Sequence, residues 1–597
     1  MTFYRGHVMK DRIINSYITK FVNDNKLDKK SSKESEIFEA FSTYYVVSKL
    51  MDGYFEYDDI DGMLVGDAND TGIDAIGIII NGEFFDSLDA LKDFFNNNSN
   101  KYGEFTIKIV FIQAKKSSKF SSASIRSFGD GIVDILRSEP KLIQNAQIKE
   151  KWSMINEIIQ HADLFKSIQG RAYYVTIGTY IEDKNLATAI NNVKKSIKSE
   201  NIFSEFTFLP VDNQKLQEYY RESNIKVKED INFPNKVTLP EIKGIQQGWY
   251  GYLSEIEFLK LIEDENHDLR RSLFFDNVRD FIGDNTDANI DIDRTLKSNE
   301  PENMVILNNG ITIIAQDVKL ISTRLILKNY QIVNGCQTSY VIYNNRDIAK
   351  KDIFIPVKII ITTDKKISDK ITVANNRQNA VKDEELLALT EFQRKLEEFF
   401  KTYDGEKRLY YERRANQYHD SNTVKVKIVS VLTSLRCYSS MFLGIPHIAS
   451  RWIGRLYKNY SSSVFNEKNS LKAFYTSSFA LYKYLFFVRN NVIDKTCRKF
   501  KYHILMMIRF YLIDINNIKK DKSKSEINKE CEIINKVLWR KDECKNVMLK
   551  MVEIIKEVAK EDNKDITGSG LTSNKKFLDD IIKKVIEVKE QNNEGSL

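Results

Sequence analysis

Between residues 34 and 211 the sequence switches repeatedly between helical and extended periodicity, and that switching limits what the chain can build. Ile37, Phe38, Phe41, Tyr44, Tyr45 and Ser48 recur at steps of three and four, the spacing of one helix face, which predicts an amphipathic helix to about residue 50. Two strand-like runs follow: 73–80, closing on the turn pair Asn81-Gly82, and 105–115, rich in Ile, Val and Phe. Predicted helices at 125–136, 142–164 and 185–197 then interleave with strands at 173–177 and 206–211. Helices alternating with buried strands indicate an α/β domain.

The same reading divides the rest of the chain. Residues 1–30 are polar and suggest a frayed or short helical start. Pro234 and Pro240 among charged residues suggest a connector over 223–247, after a first unit of 1–222. A second, mixed α/β unit is expected over 248–430, with strands at 310–315, 325–327, 331–333 and 355–361. From Lys382 the periodicity is mainly helical, and 431–597 is expected to be a mainly α-helical, basic C-terminal region.

Composition excludes several classes. With 597 residues, 42% apolar, 29% charged and 7 Pro, the chain can bury several cores and is no disordered or collagen-like polymer. It has no run of roughly 18–20 uncharged apolar residues and no apolar signal core in MTFYRGHVMKDR, which implies a cytoplasmic protein without a membrane partner. The 5 cysteines form no CxxC pair and the 6 histidines are dispersed, arguing against a disulfide framework and a zinc ribbon. His447 and His503 read as ordinary packed or surface residues, so any metal should be held by oxygen.

One polar set interrupts the strands. Asp74 follows a glycine turn (Gly72-Ile73-Asp74-Ala75), and the second run ends Phe111-Ile112-Gln113-Ala114-Lys115. Because strand side chains alternate, Gln113 and Lys115 share a face while Ile112 and Ala114 turn into apolar packing. A carboxylate and an amide oxygen can hold Mg²⁺, with Mn²⁺ as the alternative, and an ammonium can orient a nucleophile or offset charge at phosphorus. The plainer reading is a turn residue and two exposed strand residues.

These residues resemble the PD-(D/E)XK nuclease superfamily, and most closely its Mrr-type restriction endonucleases, with QxK in place of ExK. The resemblance implies a restriction-endonuclease-like fold, catalytic roles for Asp74, Gln113 and Lys115, and a helical Glu completing a metal set of Glu39, Asp74 and Gln113. Glu34 and Glu36 are rivals to Glu39. The motif proline is absent, and Gln113 carries one negative charge fewer than the usual Glu, which implies weaker or single-metal binding.

A second constellation is Asn334-Gly335-Cys336-Gln337-Thr338, a strand entering a tight turn and then a predicted helix over 338–345. Amides at such a turn can bind an anion. Cys336 reads as a packed residue, with no His near it in sequence. Together with Asn277-Val278-Arg279-Asp280-Phe281, Leu307-Asn308-Asn309-Gly310-Ile311, Asn375-Asn376-Arg377-Gln378-Asn379 and Tyr410-Tyr411-Glu412-Arg413-Arg414, this block resembles the AIPR family, named for abortive infection phage resistance, over roughly 250–430. A looser similarity links it to DGQHR-motif and ParB-like folds. The resemblance implies nucleotide or nucleic-acid contacts at Asn334, Gly335, Gln337, Thr338, Arg377, Arg413 and Arg414; the alternative for each Arg is pairing with a local acid. No Walker A sequence occurs.

Charge marks a third region. From Arg451 to His503 there are eleven Lys/Arg against Glu467 and Asp494, an excess of nine that exceeds the +7 of the whole chain. Phosphate backbone is the usual partner of such a stretch, so Lys495, Arg498, Lys499 and Lys501 are expected to contact nucleic acid. The expectation for the whole is an anti-phage effector: an Mg²⁺-dependent endonuclease acting on DNA in preference to RNA, under control of its AIPR domain. A nucleotide or phage-derived trigger and a second copy or companion defence protein are its expected partners. The competing class is a non-catalytic nucleic-acid-binding or nucleotide-sensing protein that keeps the nuclease fold as a platform.

Overall fold

A computed structural model describes residues 12–28, 33–51, 55, 57–66, 70–223, 228–263, 267, 269–274, 287–348, 353–376, 383–413, 417–418, 423–514, 522–566 and 570–594. The chain is mixed α/β in its first two thirds and mainly helical after residue 430.

The first sheet has five strands: β1 (Ala75–Ile80), β2 (Glu83–Phe84), β3 (Phe105–Lys115), β4 (Phe165–Thr176) and β5 (Glu205–Val211), in the order β2-β1-β3-β4-β5. β1 runs antiparallel to β2 and β3, whereas β3, β4 and β5 are parallel. The sequence of β1, AIGIII, is buried at every position. It is covered on both faces, as strands of helix-flanked sheets are. Val110, Ile112 and Ala114 of β3 enter a core with Phe38 and Phe41 of the Glu34–Ser48 helix. Ile107, Ile109 and Phe111 enter a second core with Phe128 and Ile132 of the Ser122–Leu136 helix.

The second sheet has six strands: β6 (Lys228–Asn232), β7 (Lys236–Thr238), β8 (Gln247–Ser254), β9 (Ile311–Ile321), β10 (Arg324–Asn334) and β11 (Phe354–Ile361). Their order is β6-β10-β9-β11-β8-β7, with only β9 and β11 parallel. The stretch expected as a connector supplies both edge strands, β6 and β7. Edge strands pair on one side only and tolerate charge and nearby proline, so their sequences lack the apolar run that announces a central strand. The runs at 325–327 and 331–333 belong to the single strand β10, interrupted at Asn329, whose φ is 50°.

The start of the described chain is a packed helix, Arg12–Asp24, that buries Ile14, Phe21 and Val22. The C-terminal helices do not form a separate body. Phe474, Phe479, Phe500, Met507 and Phe577 share one continuous apolar core with Phe38, Phe41, Ile112 and Ala114 of the first unit. The six-stranded sheet has its own core around Trp249, Ile313, Leu327 and Ile359.

Candidate active site and the AIPR region

Asp74 sits where the 70–74 turn enters β1. Gly72 takes φ 78°, a left-handed conformation that side chains other than glycine disfavour, and its N–H donates to Asp70 Oδ1 at 2.8 Å. This turn swings Asp74 against the end of β3. The Asp74 N–H donates to the Ile112 carbonyl at 2.9 Å, the Ala114 N–H donates to Asp74 Oδ2 at 2.6 Å, and Gln113 Nε2 stands 3.5 Å from the same oxygen. Asp74 and Gln113 are each 2% exposed, while Lys115 ends the strand in solvent. Gln113 is therefore a buried partner of Asp74 and not an exposed strand residue.

Glu39 faces the same place from the Glu34–Ser48 helix. Burial and the neighbouring Asp74 push its carboxyl up to about 7, against the opposing pull of Lys115. Burial likewise raises the Asp74 carboxyl, opposed by Lys115 and the Ala114 N–H. The rivals differ: Glu34 pairs with Lys116, and Glu36 pairs with Lys33 at 3.5 Å. Sequence reasoning missed two neighbours. Asp70 raises the carboxyls of both Glu39 and Asp74, and Tyr174 of β4 lies opposite Gln113 in register. The Asp-x-x-x-Asp spacing of 70–74 is the signal that could have flagged Asp70.

Among the described residues no group of three or more His, Cys, Asp or Glu is gathered closely enough to hold a metal ion. The donors at this end of the sheet are two carboxylates and one amide. An all-oxygen set with few protein ligands suits Mg²⁺, which keeps several of its waters. The buried Asp74 and the half-buried Glu39, with one lysine, also form a group whose charge a divalent cation would neutralise. On that chemistry Glu39, Asp74 and Gln113 fit the ion.

The second constellation is a turn built from two blocks. Gly335, at φ 95°, precedes the Cys336–Asn344 helix, and a Cβ there would lie 2.6 Å from Ile311 Cγ1. Packing therefore requires glycine as much as any ligand would. The Thr338 hydroxyl, expected to meet a ligand, is buried and accepts from Asn308 Nδ2 at 3.0 Å, while Asn308 Oδ1 accepts from the Gly310 N–H at 2.9 Å. Thr338 thus ties the Asn308–Gly310 turn to the Asn334–Gly335 turn. Asn334 lies across from Thr312 at the end of β10, and Asn334 and Gln337 are partly exposed. Cys336 packs partly against the sheet core.

Arg413 departs from the expectation of a ligand contact. Its Nε donates to Glu397 Oε2 at 3.2 Å, and Glu397 also binds Lys401 at 2.7 Å and Gln417 at 2.8 Å. Burial alone would raise the Glu397 carboxyl, but Lys401 and Arg413 hold it below the usual carboxylate range. Arg279, Arg377 and Arg414 lie outside the described residues.

Part of the basic stretch is paired with acids. Arg498 and Lys501 are buried, and both face Asp86, Lys501 Nζ at 3.5 Å from Oδ2 and Arg498 Nη1 at 4.0 Å. Arg455 Nη1 donates to Asp93 Oδ1 at 2.8 Å, and Trp452 Nε1 donates to Glu83 Oε2 at 3.1 Å. Lys499 is partly buried, and desolvation lowers its amine against the pull of Glu150, Asp89 and Asp565. Of the four expected phosphate contacts, Lys495 alone is exposed. Sequence shows the charge excess but not its acidic partners, several of which (Asp58, Asp86, Asp93) lie in the first 160 residues. His503 is fully buried and His447 partly so.

No helix among the described residues is long and apolar enough to cross a membrane. No curated protein and no solved structure matches the chain. The family model described as AIPR protein matches residues 274–566, from the second sheet well into the C-terminal helices, and leaves the five-stranded sheet outside it. The chain therefore carries an AIPR family domain at residues 274–566.

Proposed function

We propose that this protein is a phage-defence effector whose five-stranded unit hydrolyses phosphodiester bonds, DNA in preference to RNA, with a divalent cation. An AIPR domain implies a role in abortive-infection phage resistance. The observation that carries the enzymatic reading is the convergence of Glu39, Asp74, Gln113 and Lys115, from a helix, a turn and a strand end, at one end of the sheet. A bound Mg²⁺ would polarise the phosphoryl group and acidify a water. Glu39 and Asp74 would hold the ion, and Gln113 would orient Asp74 or offer its amide oxygen. Lys115, at the solvent edge, would meet the phosphate and offset its developing charge. The AIPR domain would restrain this activity until a nucleotide or phage-derived signal arrives.

One observation favours a non-catalytic, nucleic-acid-binding reading: Asp74 Oδ2 already accepts the Ala114 N–H, so part of its lone-pair capacity serves the fold. The two readings separate in one assay. Purified protein incubated with plasmid DNA and Mg²⁺ or Mn²⁺ should cut it, and chelator should stop the cutting. DNA and RNA left intact under every metal condition would leave the platform reading standing.

A further inference from the structure

The Tyr57–Asp61 helix lies between the candidate carboxylate site and the C-terminal helices. At one end it is gripped. Arg489, the last residue of the Leu471–Arg489 helix, pairs through Nη1 with Asp58 Oδ1, and its guanidinium lies 5.9 Å from the centroid of the Tyr57 ring. Arg498 Nη2 donates to the Asp58 carbonyl. Both arginines are buried, at 5% and 8% exposure, and Asp61 is within their electrostatic reach. Asp86 completes the cluster: burial opposes its charge, yet Lys501, Arg498, Arg436 and Lys151 hold it well below the usual carboxylate range.

The other end of the segment is bonded to the site. The Met63 N–H donates to the Ile60 carbonyl at 2.7 Å, the Ile76 N–H donates to the Met63 carbonyl at 2.8 Å, and the Val65 N–H donates to the Asp74 carbonyl at 3.0 Å. Leu64 bridges Ala75. Gly66 lies beside Glu39: an added Cβ would be in van der Waals contact with Oε2, at 3.4 Å. Residues 57–66 thus run from a buried, charge-locked contact with the C-terminal region to the backbone of Asp74 and the carboxylate of Glu39. The Leu64 N–H also donates to the Ile60 carbonyl at 2.9 Å, so the peptides between the helix and β1 form a hydrogen-bonded route along which a shift of the helix would reach Asp74.

We propose that Arg489 and Arg498 are positioning residues for the carboxylate site: by gripping the Tyr57–Asp61 helix, the C-terminal helical region sets where Asp74 and Glu39 stand. The geometry of the site depends on that contact, so weakening the grip displaces Asp74 and Glu39. The catalytic consequence rests on the nuclease reading above; the mechanical coupling does not.

The test uses the full-length protein with Arg489→Gln, and Gly62→Ala as a second variant. A methyl at residue 62 would lie 3.1 Å from Arg498 Nη1 and 3.2 Å from Asp86 Cβ, which disturbs the grip without removing a charge. Amide hydrogen exchange should speed up at residues 63–66 and 74–76, by tenfold or more, with β4 and β5 unchanged. Mn²⁺ affinity should fall, and cleavage should lose kcat with KM for DNA retained. Arg489→Lys should restore part of each. Exchange that rises evenly over the whole molecule, or stays at parental rates at 63–66 and 74–76 in a folded variant, overturns the coupling. If the parent itself cuts nothing, the nuclease reading fails, and the exchange pattern alone decides the coupling.

Discussion

Arg455 and Asp93 are 362 positions apart, and their side chains meet at 2.8 Å in the contact between the C-terminal helices and the first sheet unit. Arg451 stands 3.8 Å from the same Asp93 oxygen, and the Asp93 carboxylate is almost wholly shielded from water. A carboxylate in that setting depends on its cations. Arg455→Gln should therefore destabilise the protein by about 1–3 kcal/mol, the usual range for leaving a buried polar group short of a partner. In a double-mutant cycle with Asp93→Asn the two effects should be far from additive in urea unfolding. Strict additivity would show that the pair contributes nothing. By the same logic, replacing Lys495, Arg498, Lys499 and Lys501 together with Gln should mainly cost stability, whereas Lys495→Gln alone should change little.

Asp74→Ala and Lys115→Ala should each abolish cleavage and phage protection, but they should differ in stability. Lys115 ends β3 in solvent, so its removal should leave the melting temperature within a degree or two. Asp74→Ala strands the buried Ala114 N–H, at a cost of about 1–3 kcal/mol. Asp74→Asn, which keeps an acceptor oxygen for that N–H, should be inactive with much of the stability restored. Undiminished nicking by a folded Asp74→Asn protein would remove Asp74 from the chemistry.

Glu39 makes stability depend on pH. Its carboxyl is raised from 4.5 to about 7 in the folded chain, so between those values the folded state holds a proton that the unfolded state releases. Burial of the charged form is a cost that is absent below about pH 4.5, grows as pH rises and levels off above about 7. Glu39→Gln should consequently raise the urea midpoint at pH 8 in chelator and leave it unchanged at pH 4. Mg²⁺ at saturating concentration should narrow the gap at pH 8 by stabilising the parent alone. An equal gain at both pH values would mean that the carboxyl is not perturbed.

At the AIPR turn the glycine and the glutamine should part ways. Gly335→Val forces a side chain into φ 95° and against Ile311, so it should unfold the second sheet locally and reduce soluble protein, whatever its ligand. Gln337→Ala is the cleaner probe of sensing, since Gln337 is partly exposed. A stable Gln337→Ala protein should either fail to protect cells with Mn²⁺ binding intact, or be toxic until Asp74→Asn is added. Full protection by this variant, with DNA and nucleotide titrations like those of the parent, would make the turn purely structural.

Sequence by itself determined the most apolar strands and the residues at their ends. The span 105–115 reads as β3 without a residue's error, because a buried strand must be apolar on both faces and its polar end then stands out. The glycine turn before Asp74 is legible for a similar local reason: a left-handed backbone calls for glycine. Tertiary structure alone decided features whose energy lies in distant partners. The first half of β4, FKSIQG, carries no apolar run and becomes strand through pairing with β3, and β6 and β7 become strands through β10 and β8. The charge of 451–503 was countable, but Coulomb attraction is set by distance, and only folding brings Asp58, Asp86 and Asp93 within reach of those cations.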